Sequence, residues 1–343
     1  MELEDEIALA ELDEEGVRQM TSMTSIERVL LCAAVLVAAG CGQRRSAANP
    51  LDPAGDKTGD RNGRVLCARG EVPGNSELIS YAADGSDPRR LGVGFYPAWS
   101  RDGTQIWYSS RSLNGVEIWT MAADGSNPRQ ISTMGGVAIT AALSPDGRSV
   151  AFTGLRPGAD HSEIWVMDTD GTGLRQLTTT TGRGVSRTGA TIYQSVHPSW
   201  SADGKKLVYA SSQSGSIEVW AMNSDGTAPT QLTFAVGDRY PDSNVPEFSR
   251  DGTRITFWSG YETEYGEVWV MGPDGGNRRR VTDTAEQRNS DDPTWSPDGK
   301  SLIFISNPRG GPGVGSAWLV SAAGGEPQLF ASGATYCAWQ PIP

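Results

Sequence analysis

Residues 200–233 read WSADGKKLVYASSQSGSIEVWAMNSDGTAPTQLT, and the same pattern returns along most of the chain. It opens on an aromatic residue followed by Ser-x-Asp-Gly, here Trp200 to Gly204. Other copies run Trp99 to Gly103, Leu143 to Gly147, Phe248 to Gly252 and Trp295 to Gly299, and Trp339-Gln340-Pro341 is a worn copy. About twenty residues later comes Glu218-Val-Trp-Ala-Met222, matched by segments beginning at Glu117, Glu163 and Glu267. Weaker copies begin at Glu77 and Ala317. Each is followed by an Asp-Gly or Gly-Gly turn, such as Asp225-Gly226, and then by a short Gln-Leu-Thr-like strand. Asp-Gly supplies the positive φ angles that tight hairpins need. Each unit therefore holds four short strands, a to d, joined by hairpins.

Four-stranded units repeating every 44 to 57 residues are the mark of β-propeller blades, because one unit cannot bury both faces of its sheet alone. The spacing predicts an all-β, six-bladed β-propeller of four-stranded antiparallel blades. Five units run complete from residue 96 to about 330. Strands b, c and d remain at 64–69, 76–81 and 88–91, and one strand a remains at 335–339. The sixth blade is expected to form from these two chain ends. Aligning Cys337 and Cys67 with Pro293 and Phe304 of an intact hairpin places the two cysteines opposite each other. A disulfide is the expected state in an oxidising compartment, and a pair of buried thiols is the alternative.

Composition narrows the function classes. Twenty-nine basic against 41 acidic residues, with no basic cluster, argue against nucleic-acid binding. Two histidines, His161 and His197, leave little material for a metal centre, and no cofactor motif is present. Nine acids and two bases fall within residues 1–41, so the remainder is only mildly acidic. Residues 29–40 form an apolar run of signal-peptide length, ending Val37-Ala38-Ala39-Gly40-Cys41. This resembles a bacterial lipobox, with Ala38 where Leu is usual, and implies lipidation of Cys41. The acidic residues 1–22 do not suit a signal n-region, whereas Met23 to Arg28 do, so translation is expected to start at Met23. The expected organisation is an extension and lipoprotein signal peptide at 1–40, a flexible tether at 41–63 and the propeller at 64–343.

The paired motifs resemble the TolB-like, WD40-like (PD40) propeller repeat family across residues 64–339. The periplasmic TolB protein carries an additional α/β domain where this chain has only the tether. Related propellers also accompany serine peptidases, but no Gly-x-Ser-x-Gly occurs here. Oligogalacturonate lyases use a similar propeller with a metal-binding His set, which His161 and His197 alone do not supply. The resemblance implies a non-catalytic, monomeric cell-envelope scaffold that binds a protein or glycan and meets the membrane only through its lipid. The alternatives are a lyase-like enzyme and an accessory or sensor subunit of a Tol–Pal-like complex. By analogy with WD40 propellers, the a–b and c–d turns share one face and the longer, irregular loops share the other. Loops 179–196, 234–244, 259–265 and 306–315 would carry the binding face. Its candidate contacts are Arg183, Arg187 and Tyr193 from the longest loop and His197 directly after it. Arg239, Tyr240, Asp242, Tyr261 and Tyr265 come from its neighbours.

Overall fold

A computed structural model describes residues 63–70, 76–181, 184–185, 191–192, 194–234, 242–260, 266–283, 288–308 and 315–342. The expected leader, Cys41 and all but the last residue of the tether lie outside these. Strands β1 (Val65–Arg69), β2 (Glu77–Tyr81) and β3 (Arg89–Val93) come first. Next are β4 (Phe95–Trp99), β5 (Gln105–Ser112), β6 (Gly115–Ala122) and the two-residue β7 (Arg129–Gln130). The following unit holds β8 (Val137–Leu143), β9 (Ser149–Leu155), β10 (Glu163–Asp168) and β11 (Arg175–Gln176). A small ribbon of β12 (Gly184–Val185) and β13 (Thr191–Ile192) precedes β14 (Ser195–Trp200), β15 (Lys206–Ser211), β16 (Glu218–Asn223) and β17 (Thr230–Gln231). Then come β18 (Ser243–Phe248), β19 (Ile255–Ser259), β20 (Glu267–Met271) and β21 (Arg279–Arg280). The last unit is β22 (Arg288–Trp295), β23 (Ser301–Pro308), β24 (Ser316–Ser321) and β25 (Gln328–Ser332), and β26 (Ala334–Trp339) ends the chain.

The fold is an all-β propeller, but the expectation of six separate four-stranded blades is corrected. Four antiparallel four-stranded sheets are present: β26-β1-β2-β3, β14 to β17, β18 to β21 and β22 to β25. The strands β4 to β11 form one eight-stranded sheet, and among the described residues no sheet is closed on itself. The fusion has a local cause. Val116 pairs in parallel with Val137, and the Val116 N–H donates to Gly136 O at 2.9 Å. A Cβ on Gly115 would lie 2.0 Å from that same oxygen, so only glycine lets the two backbones meet. Gly115 also sits at φ 145°. Gly115→Ala is expected to lower stability by about 2–4 kcal/mol, summing a backbone clash and an unfavourable φ. Gly158→Ala, at φ 79° with nothing near its Cβ, should cost about 1 kcal/mol. Urea unfolding of the two variants side by side checks this, and equal losses would remove the clash from the explanation.

Stacking follows from the alternation of side chains along a strand. Val65 and Leu66 are neighbours on β1 and both fully buried, yet they enter different cores. Ile303 joins Val65, while Leu302 packs with Val268 and Val270 of the preceding sheet. Both faces of the sheets are thus covered by neighbours, which is why the b and c strands read as near-continuous apolar runs.

Two polar devices recur from unit to unit. In the first, the motif Ser donates to its Asp two residues on, at 2.6 Å for Ser100–Asp102 and 2.7 Å for Ser201–Asp203. The same Asp oxygen accepts the N–H of Thr104 or Lys205, closing an Asx turn. These bonds hold Asp102, Asp146 and Asp203 below the usual carboxylate range. In the second device, the buried Glu of strand c accepts from a Ser or Thr two residues past the end of strand d. Glu218 takes the Thr233 hydroxyl at 2.5 Å, and Thr233 Oγ1 accepts the Val219 N–H at 2.8 Å. Glu117–Ser132, Glu163–Thr178 and Glu267–Thr282 repeat it. These clasps fasten the two-residue d strands, which have few ladder bonds of their own.

The chain ends pair as expected. Cys67 stands opposite Cys337 in the β1–β26 register, and a disulfide joins them with an S–S distance of 2.02 Å.

Candidate functional site: the central channel

An Xaa-Pro step stands just before the motif aromatic in four copies: Tyr96-Pro97, His197-Pro198, Val245-Pro246 and Asp292-Pro293. Proline has no N–H to give a ladder, so the strand breaks register there. The pairing skips between Phe95 and Ala98, Val196 and Ser199, Asn244 and Glu247, and Asp291 and Thr294, with a like skip between Ile139 and Ala142. The residue inside each bulge adopts a left-handed backbone: Tyr96 (φ 49°), Thr140 (54°), His197 (54°), Val245 (49°) and Asp292 (47°). A left-handed β-branched residue costs about 1–3 kcal/mol and persists only where its surroundings dictate it. The bulges turn side chains toward the axis on which β4, β8, β14, β18, β22 and β26 converge.

Those side chains meet there. The Tyr96 ring lies edge-on to Tyr336 at 5.2 Å and to His197 at 6.3 Å between centroids. His197 Nδ1 is 3.3 Å from Asn244 Oδ1, and its backbone N–H donates to Thr153 Oγ1 at 3.0 Å. Thr153 and Thr140 share a hydroxyl hydrogen bond of 2.7 Å. Enclosure sets the charge states. Burial pushes His197 down to about 4, against the opposing Asn244 bond, so the imidazole is neutral. Burial pushes Glu247 up to about 8, although the Thr294 hydroxyl and Trp295 N–H favour its charged form. Burial raises Asp291 to about 6, and burial with the Asp291 charge raises Asp292. Burial, with Asp292 and Glu247 nearby, raises Tyr336.

Beside this cluster lies a cavity of about 220 Å³, bounded by His197, Glu247, Tyr336 and the motif residues Trp99, Trp295 and Trp339. Trp99, Leu143, Trp295 and Pro341 also line the volume beside the a–b turns. Those turns and the c–d turns do share a face, since the Ala123 N–H donates to Thr104 O and the Ser224 N–H to Lys205 O, each at 2.9 Å. The motif Trp side chains bind neighbouring units: Trp200 Nε1 donates to Ala142 O at 3.0 Å and Trp295 Nε1 to Glu247 O at 3.2 Å. Among the described residues, no group of three or more His, Cys, Asp or Glu side chains is arranged to hold a metal ion.

Of the candidate binding-face residues, Arg183, Arg187, Tyr193, Arg239, Tyr240, Tyr261 and Tyr265 lie outside the described residues. The structure places the other two inward. His197 borders the channel, and Asp242 is 1% exposed, where its charge helps raise the buried Glu218. His161 sits apart, with Nδ1 2.6 Å from Asp160 and Nε2 3.1 Å from Glu163. Sequence reasoning did not assign Tyr96, Asp291, Asp292, Glu247 and Tyr336 to a site. The Xaa-Pro step before the motif aromatic was the available signal for Tyr96 and Asp292.

Comparison with known proteins agrees with the fold. Residues 75–245 match the PD40 family, described as the TolB beta propeller domain. A TolB homolog from Chlorobium chlorochromatii is 27% identical over 157 residues, covering 46% of this chain and 31% of that protein. The chain spans about a third of the length of the curated relatives it matches. The crystal structure of TolB from Acinetobacter baumannii superposes with a TM-score of 0.65 at 21% identity, covering 81% of this chain and 67% of that one. A putative TolB from Agrobacterium tumefaciens gives 0.59 at 19% identity, covering 83% and 100%. At those identities the superpositions speak for the fold alone. The chain is thus similar to TolB-like PD40 propellers, in sequence over residues 75–245 and in fold over most of its length.

Proposed function

We propose that this chain is a non-catalytic binding propeller of the bacterial cell envelope. In this reading residues 1–40 are a leader, Cys41 carries the lipid, residues 41–63 form the tether and the propeller from residue 64 presents its irregular loops to a protein or glycan. One observation carries it: the recurring polar residues are engaged with one another. The motif Ser and Asp close turns, and the buried Glu and Thr clasp strands c and d. Chemistry is left to the positions that differ between repeats, and the longest of these are loops 179–196 and 234–244. Homology to TolB-like proteins, some of which belong to a Tol–Pal system, favours an envelope protein as partner.

In-cell crosslinking followed by mass spectrometry of the envelope fraction tests this. The expected result is an acylated Cys41 at the mature N-terminus and crosslinks from 179–196 or 234–244 to one envelope protein. An unacylated chain without specific crosslinks overturns the tethered-binder reading.

A further inference from the structure

The variable x of Ser-x-Asp-Gly carries no signal in the sequence, because its repeats stand tens of residues apart. The fold gathers those positions around one opening. Arg101, Pro145, Ala202, Arg250, Pro297 and Pro341 surround the mouth of the channel on the a–b turn face. Just inside stand Trp99, Trp200, Trp295 and Trp339, enclosing a volume of about 190 Å³. Two of the gathered positions are arginine and the others are uncharged, so the mouth holds two guanidiniums. Among the described residues neither forms an ion pair. The Nη1 of Arg250 is buried without a hydrogen-bond partner among those residues. The adjoining acids do not serve them: Asp102 and Asp251, their neighbours in the chain, spend an oxygen on their own turns, accepting Ser100 and Ser249 at 2.6 Å, and burial favours the neutral form of Glu247, which also lines the mouth.

A buried guanidinium nitrogen without an acceptor is costly, and two cations at one small opening repel each other. A carboxylate relieves both costs, since its two oxygens match the fork of the guanidinium. The indole walls beneath suit an apolar stem behind that carboxylate. The aspartates of the surrounding turns repel a broad acidic surface, so the group that enters is slender.

We propose that this mouth is a carboxylate-binding site, in which Arg101 and Arg250 receive the anion and the tryptophan walls receive the carbon chain behind it. It is independent of the irregular loops, so it stands or falls apart from the partner proposed for them. The source is either a free small carboxylate or the end of a peptide chain.

Calorimetric titration of the full chain distinguishes these with three probes: succinate, N-acetyl-Leu-Leu with a free carboxylate, and its C-terminal amide. Binding of the free-acid peptide with loss of at least tenfold for the amide supports the site and assigns a chain end. Binding of succinate as tightly as the peptide supports the site and assigns a free carboxylate. In either case Arg101→Gln should weaken binding about tenfold or more, the worth of a charge-assisted hydrogen bond. Arg101 is exposed, so this variant is expected to keep the wild-type urea midpoint, and Arg250→Gln should act on binding in the same direction. Equal binding of acid and amide, binding that survives Arg101→Gln, or no binding of any probe up to about 10 mM, a level where affinity is only a few kcal/mol, overturns the proposal.

Discussion

Reducing the Cys67–Cys337 disulfide, or replacing both cysteines by alanine, should lower the unfolding free energy by about 3–5 kcal/mol. The bond closes a loop with a sequence separation of 270 residues, near the upper end of what chain-entropy arguments give. Both cysteines are 1% exposed, within the strand pair that unites the two ends of the chain. β26 also supplies Tyr336 to the channel and Trp339 to its mouth, so loss of the bond should loosen the axis as well. Guanidinium unfolding with and without reductant measures the effect. The Cys67→Ala, Cys337→Ala variant should show no further response to reductant. A midpoint that ignores reduction of the wild type would show that strand pairing alone holds the ends together.

Glu247→Gln should stabilise the protein at pH 8 by about 2–5 kcal/mol and leave it nearly unchanged at pH 5. The sign follows from the raised pKa. Between roughly pH 4.5 and 8 an unfolded chain ionises this glutamate while the folded chain keeps it protonated. The folded state then binds more protons, so its stability falls as pH rises through that window. Each tenfold difference in proton affinity between folded and unfolded chain is worth about 1.4 kcal/mol, and solvent in the adjoining cavity reduces the full value. The raised Asp291 adds to the fall up to about pH 6. His197 works the other way, since its lowered pKa takes stability away as pH drops from about 6.5 toward 4. Urea midpoints of wild type and variant at pH 5, 6.5 and 8 test this, and parallel curves would mean that Glu247 ionises as freely in the channel as in water.

The alternation and the spaced motifs were enough to read strands, hairpins and repeat units, because these are local consequences of residue order. They also gave the Cys67–Cys337 register, since each cysteine could be aligned on a well-preserved hairpin. The partition into sheets was not legible: the contact between Gly115 and Gly136 that fuses β6 to β8 depends on two backbones meeting at van der Waals distance. Asp242 read as a loop residue and is a buried neighbour of Glu218, because polarity alone does not say which way a strand-edge side chain turns.

What the sequence determined by itself is the unit: Asp-Gly dictates the turns, alternating apolar residues dictate strands covered on both sides, and Ser-x-Asp closes its own Asx turn within five residues. What only the tertiary structure decided is what the units do together. Tyr96, His197, Asp292 and Tyr336 come from four distant strands, and Arg101 and Arg250 stand 149 positions apart in the chain. Their charge states and their openness to a ligand arise from enclosure around one axis, and desolvation is a property of the assembled surroundings rather than of any residue's neighbours in sequence.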